Sequence, residues 1–261
     1  MVRHTSKCRK YVVAYSSYHQ SDQPTYIDKN GTLQSIEDRR FSMWYEEIID
    51  QLEELRDPVR AVQMEAYMRN QFPFLGIAAA PRKAVYQKEF RQALKEKKID
   101  FDFVEFCFSK AEREFHYAGV DYLLAIQSLL TPQHLPKIKE FIQTKSWWDT
   151  VDGLDGVVGS LVLRYPELKE TMIEWSLEDN IWIRRVAIDH QLLFKEKTDT
   201  DLLAAIIKNN LNDTEFFINK AIGWSLRDYS KTNPDWVAQF IQENRSSMAA
   251  LSIREGSKYI G

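Results

Sequence analysis

Only two cysteines occur in 261 residues, Cys8 and Cys107, too few and too far apart for a disulfide framework. They predict free thiols in a reducing compartment, the cytoplasm. Long apolar runs are missing too. No stretch approaches the roughly 18 residues of a membrane span, and "YVVAYSSY" (Tyr11 to Tyr18) is too short and polar for a signal-peptide core. Neither sign of charge is in large excess: the formal net charge is −3, so no global field announces nucleic acid or an anionic membrane. Any DNA binding has to come from a local stripe of Lys and Arg. The five histidines, His4, His19, His116, His134 and His190, show no ligand spacing, and neither HExxH nor paired CxxC occurs. No metal and no cofactor is expected. GxSxG, GxxxxGK[ST] and GxGxxG are absent as well, which leaves serine-hydrolase, P-loop and Rossmann chemistry without support.

What is present is a chain with 44% hydrophobic residues, ample for a core, and little glycine or proline. Pro58, Pro81, Pro132, Pro136, Pro166 and Pro234 read as punctuation between helices, because proline is tolerated in a first turn and poorly inside. "DPVRAVQMEAYMRN" has Asp57 as cap, Pro58 in first position, and Val62, Ala66 and Met68 near one side; "TNPDWVAQFIQEN" repeats the device with Asn233 and Pro234. Asn30-Gly31 and Asp152-Gly153 lack flanking strands, so the chain reads as all-α from residue 42 onward. Helices of about 15 to 20 residues, taken in pairs, give units of about 40, the length of HEAT or armadillo repeats. No strict sequence repeat appears, and an irregular helical bundle fits the spacing equally well. Residues 1–41, rich in Ser and Tyr without a helical period, read as a tail or loosely attached extension, with 42–261 as a single domain. Met43 is a candidate alternative start.

Two helical faces carry candidate chemistry. In "SWWDTVDGLDG" (Ser146 to Gly156), Ser146 and Asp149 have capping-box spacing, which puts Trp147 and Trp148 in the first turn. Trp148 and Asp152 are four apart and share a face, continued by Gly156 and Gly159. Gly153, Gly156 and Gly159 lay a bare strip alongside, for tight helix packing or for a ligand. In "DTEFFINKAIGWSLRDYSKT", Lys220, Trp224, Arg227 and Lys231 form a basic stripe with one indole in it, while Ile218, Ile222 and Tyr229 point toward a core. Charge beside a flat ring suits a phosphate backbone; a solvated charged face is the plainer alternative. "DNIWIRRVAIDHQLLF" offers Asp179 or Asn180 as cap, and Arg184 or Arg185 on the side of Trp182.

"YMRNQFPFLGI", "SWWDTVD", "DNIWIRRVAI" and "EFFINKAIGWSLRDYSKTNPD" resemble, in order and spacing, signature segments of the AlkD-type DNA alkylation repair glycosylases, over residues 42–258. The resemblance implies an α-solenoid of HEAT-like repeats whose concave face holds double-stranded DNA, and hydrolysis of the N-glycosidic bond of cationic alkylpurines, 7-methylguanine and 3-methyladenine. It implies Asp152 as catalytic aspartate, Trp148 and Trp224 flanking the deoxyribose, Arg185 completing the site, and Tyr67, Arg227 and Lys231 on the DNA surface, where Lys220 of the basic stripe joins them. It also implies that the base need not be flipped into a pocket, unlike the usual strategy.

Elementary chemistry agrees with so sparse a site. An alkylated purine is already cationic and leaves as a neutral base without a general acid, so the sugar's oxocarbenium character is what must be stabilised. A carboxylate about 4 Å away supplies on the order of 4 kcal/mol at an effective dielectric near 20, roughly a thousandfold in rate. On this reading Trp147 is buried, Trp148 and Asp152 are used, and Asp155 is a bystander, raises the pKa of Asp152, or serves as a secondary site carboxylate. No lysine nucleophile is evident, so strand cleavage is not expected, and a protein embracing a duplex is most simply a monomer. The competing reading is a non-catalytic module that binds damaged or branched DNA, or a protein partner.

Overall fold

The structure is a computed structural model and describes residues 25–27, 33–35 and 44–260, in two compact units, Met1–Glu46 and Glu47–Gly261. In the first unit β1 (Thr25–Ile27) pairs antiparallel with β2 (Leu33–Ser35), with Tyr26 opposite Gln34. Asn30-Gly31 therefore does lie between two strands in sequence, and the expectation that it lacked them is corrected. Strands of three residues are too short to display a period of two, so the pattern could not register them. The candidate start at Met43 lies outside the described residues.

The second unit is helical throughout its described residues: α1 (Glu46–Glu54), α2 (Pro58–Tyr67), α3 (Ala79–Lys95), α4 (Phe101–Ser109), α5 (Arg113–Ile126), α6 (Leu135–Gln143), α7 (Trp148–Arg164), α8 (Lys169–Trp175), α9 (Ile181–Asp189), α10 (Thr200–Asn209), α11 (Phe216–Ser230), α12 (Pro234–Asn244) and α13 (Ala250–Gly256). Side-chain caps start many of them, because the first backbone N–H groups of a helix have no internal partner. Asp57 accepts from Val59 and Arg60, Asn180 from Trp182 and Ile183, and Asn233 from Trp236. The helices run from 7 to 17 residues, many shorter than expected; two prolines, for instance, open short 3-10 turns (Pro132–His134, Pro166–Leu168) that occupy part of their intervals. On α2 the inward face is Ala61, Met64 and Met68; Val62 and Ala66, expected beside Met68, are exposed.

Alternate helices form a row in which α3 packs on α5, α5 on α7, α7 on α9, α9 on α11 and α11 on α13, while α4, α6, α8 and α12 back α5, α7, α9 and α11. The row helices begin at Ala79, Arg113, Trp148, Ile181, Phe216 and Ala250, steps of 33 to 35 residues. The repeat is real, and its unit is shorter than the expected 40 or so. Two of the three glycines of α7 serve this packing. A Cβ on Gly153 would lie 2.6 Å from Val120 Cγ1, and one on Gly159 only 2.1 Å from the His190 carbonyl oxygen; Gly156 has room, with Leu124 Cδ2 at 3.6 Å. The row is thus drawn close on both sides of α7, against α5 at Gly153 beside Asp152 and against the end of α9 about two turns further on at Gly159.

Candidate active site

The start of α7 is built differently from a capping box. Trp147 occupies the position before the helix and makes no side-chain cap; Ser146 Oγ donates back to the Ile142 carbonyl. Asp149 is instead the centre of a buried cluster. Arg113 Nε and Nη2 donate to its two oxygens at 2.9 and 2.7 Å, and the Tyr117 hydroxyl donates at 2.6 Å. Arg113 is fully buried, and its other bonds go to the Lys145 carbonyl, Thr150 Oγ1 and His116 Nδ1. The sequence spacing was right for a cap, but a buried guanidinium outcompetes backbone N–H groups for a carboxylate. This lock fixes the first turn of α7 on α5 and sets the direction of Trp148 and Asp152.

Asp152 faces α9, where Arg185 Nε and Nη2 donate to Oδ1 and Oδ2 at 2.7 and 2.8 Å. The Arg185 side chain is 2% exposed and that of Asp152 21%. Arg185 therefore lies beneath the surface as the partner of Asp152, not among the solvent-facing cations. Its Nη1 donates to the Phe217 carbonyl at 2.7 Å, and its guanidinium lies 5.4 Å from the Trp224 ring centroid. Burial raises the pKa of Asp152, the Arg185 hydrogen bonds and charge pull it back down, and Asp149 adds to the rise.

Beside this pair opens a cleft of about 360 Å³. Trp148, Trp224 and Tyr67 line it together with Arg185 and Lys220, so five of the expected site residues meet there. Tyr67, largely exposed, sets its ring edge-on to Trp148 at 6.1 Å. The sequence reading missed Arg69, Phe216 and Phe217 on the same wall. Arg69 sits in the turn after α2 with φ 56, followed by Asn70 with φ 55, two consecutive left-handed residues that no local pattern announced. Trp147, expected to be buried, is half-buried and also lines the cleft, packed against Trp182 and Phe217, with its indole N–H buried and unpartnered.

The basic stripe of α11 exists but is compensated. Lys220 Nζ and Arg227 Nη1 lie 2.7 and 2.9 Å from the two oxygens of Glu255 on α13, and both cations approach the Trp224 ring. Lys231 pairs with Asp228 at 3.2 Å, and Arg184 with Asp213. Ile218 and Ile222 are buried as expected, while Tyr229 is only half-buried against Trp236. Behind Asp152 two further carboxyls, Asp155 and Asp189, bring ligand atoms within 4.8 Å of each other and of Asp152. The cation that this group holds is the Arg185 guanidinium, 3.7 Å from Asp189 as well. Burial, then Asp189 and Asp152, holds Asp155 well above the usual carboxylate range; burial likewise pushes Asp189 up to about 7.

Residues 48–260 match the family described as DNA alkylation repair enzyme. A solved structure, "Predicted DNA alkylation repair enzyme from Enterococcus faecalis", is 36% identical, covers 79% of this chain and 97% of its own, and superposes with a TM-score of 0.72. Two structures from Streptococcus mutans, smu.31 of strain UA159 and AlkD2, each give a TM-score of 0.52 at 16% and 18% identity, covering 76% and 77% of this chain and 100% and 99% of theirs. These two share the helical-repeat fold. Curated proteins return no match. With most of the chain matched and more than a third of the aligned positions identical in the Enterococcus faecalis structure, the protein belongs to the DNA alkylation repair enzyme family.

Proposed function

We propose that the protein is a monofunctional DNA glycosylase that hydrolyses the N-glycosidic bond of cationic alkylpurines, 7-methylguanine and 3-methyladenine, in double-stranded DNA, acting as a monomer. The observation that carries this reading is the Asp152 carboxylate, oriented by Nε and Nη2 of Arg185 next to a cleft walled by Trp148 and Trp224. The cationic base departs with the bonding electrons as a neutral purine, and the sugar takes up the positive charge. Asp152 stabilises that charge and orients the water that adds to it; the two indole faces, negative at their centres, lie beside the same sugar and exclude bulk water. Because Arg185 opposes the field of Asp152, the net stabilisation from the pair is about half that of a bare carboxylate, on the order of 2 kcal/mol if the guanidinium lies about 4 Å farther from the sugar. Tyr67, Arg69, Lys220, Arg227 and Lys231 are assigned to the DNA backbone.

The test is release of 7-methylguanine from methylated duplex by wild type beside Asp152→Asn. Removing the carboxylate removes its whole interaction with the sugar, on the order of 4 kcal/mol, so a loss of about a thousandfold is expected. Duplex binding with no release by either protein would replace this reading by that of a non-catalytic binding module.

A further inference from the structure

Asp189, at the end of α9, is 1% exposed and unused by the chemistry above. Its Oδ1 accepts from Ser225 Oγ at 3.0 Å, whereas its Oδ2 is buried with no hydrogen-bond partner. Arg185 Nη2 is 3.7 Å from that oxygen and donates to Asp152 at 2.8 Å. An orphaned buried acceptor is costly, and two things relieve it: a retained proton, or a donor drawn closer. Arg185 is anchored at Nη1 by the Phe217 carbonyl and at Nε by Asp152 Oδ1, so a pivot of about 0.8 Å would bring Nη2 into hydrogen-bond range of Asp189.

Resting on the glycosylase reading of Asp152, we propose that Asp189 is a positioning residue that competes with Asp152 for the Arg185 guanidinium. Ionised, it draws Nη2 across and leaves Asp152 presenting more unscreened negative charge to the sugar; protonated, it leaves Arg185 fully on Asp152. The proton is exchanged with solvent. The groups facing Asp189 are Arg185 on its own helix, Asp152 and Asp155 from α7, and the Ser225 hydroxyl from α11; the buried side chains of α6, α8 and α10 are all apolar. Burial, with Arg185 pulling the other way, puts the Asp189 carboxyl at about 7, so the exchange falls near neutral pH. Asp155 is shifted in the same direction, by burial first and then by Asp189 and Asp152.

Two readouts test this on the full chain. The first is the Arg185 Nε–H resonance, followed by NMR against pH without substrate. It should titrate with a midpoint of about 7 in wild type and in Asp155→Asn, and lose that titration in Asp189→Asn, which keeps the side-chain shape. The second is single-turnover release of 7-methylguanine, in which the ratio of wild-type to D189N rate should grow about threefold or more between about pH 6 and about pH 8.5. A ratio constant with pH would mean a merely structural role and overturn the proposal, as would an Arg185 resonance that titrates alike in wild type and D189N. No base release by wild type, with the Asp189-dependent titration intact, would instead refute the glycosylase reading and the rate effect with it, leaving the competition for Arg185 standing.

Discussion

Glu255→Gln should tighten binding to undamaged duplex DNA. In the structure Lys220 and Arg227 share this one carboxylate, so the three side chains carry a net charge of about +1, and the substitution raises it to about +2. A phosphate about 7 Å from Glu255 is repelled by about 0.6 kcal/mol at the dielectric of water and about 2.4 kcal/mol at an effective value of 20. Screening at about 0.1 M salt roughly halves both, which predicts binding about two- to eightfold tighter. Gln keeps the stem that covers Gly223, where a Cβ would meet Glu255 Cβ at 2.6 Å, so the α11–α13 contact survives. Fluorescence anisotropy on a short labelled duplex across a salt series measures both quantities. Alongside the higher affinity, the slope of log K against log salt should steepen by about 0.9, one phosphate's worth. Weaker binding, or an unchanged slope, would refute the assignment of Lys220 and Arg227 to the DNA backbone.

Three further outcomes concern stability. Asp149→Asn strands a fully buried guanidinium, Arg113, and should cost about 3 to 5 kcal/mol in urea denaturation, whereas a cap at an exposed helix start would cost only about 1. Gly159→Ala drives a methyl into the His190 carbonyl and should destabilise by about 2 kcal/mol or more, while Gly156→Ala, whose methyl meets only Leu124 at ordinary contact distance, should be neutral or stabilising by up to about 1 kcal/mol. The pair compared by denaturation separates packing from ligand approach as the reason for the glycines. Burial lowers His116 and His190 to about 4, so their contribution is complete above about 6.5 and is lost as pH falls toward 4. Asp155 and Asp189 work oppositely: they keep protons that the unfolded chain gives up near 4, so stability falls as pH rises from there toward 7. Wild type should therefore show a shallow pH dependence between about 4.5 and 6.5, and the D155N/D189N double variant a steeper loss on acidification. Equal slopes in urea titrations at both ends of that window would contradict the opposition.

Local signals were legible and distant pairings were not, and the boundary between them follows the repeat. Asp57 and Asn233 cap the helices the sequence assigned to them, and Asn180 is the cap of the two candidates it offered, because a cap engages N–H groups only two or three residues away. Trp148 and Asp152 share a face for the same reason. Asp149, by contrast, has capping spacing but is claimed by Arg113, 36 positions earlier; Asp152 is paired 33 positions on with Arg185, Lys220 with Glu255 at 35, and Asp189 with Ser225 at 36. Every one of these separations is close to the 33 to 35 residues between successive row helices. The helix starts hid that period, since α3, α5, α7 and α13 open without a side-chain cap and α9 and α11 use two different ones, Asn180 and Glu215. In a stack whose row helices face only their neighbours, the partner of an inward charge is to be sought about one repeat away on either side. Applied to this sequence, that rule would have turned Asp149 from a cap into an ion pair, paired Arg185 directly with Asp152, and revealed the compensated charge of the α11 stripe.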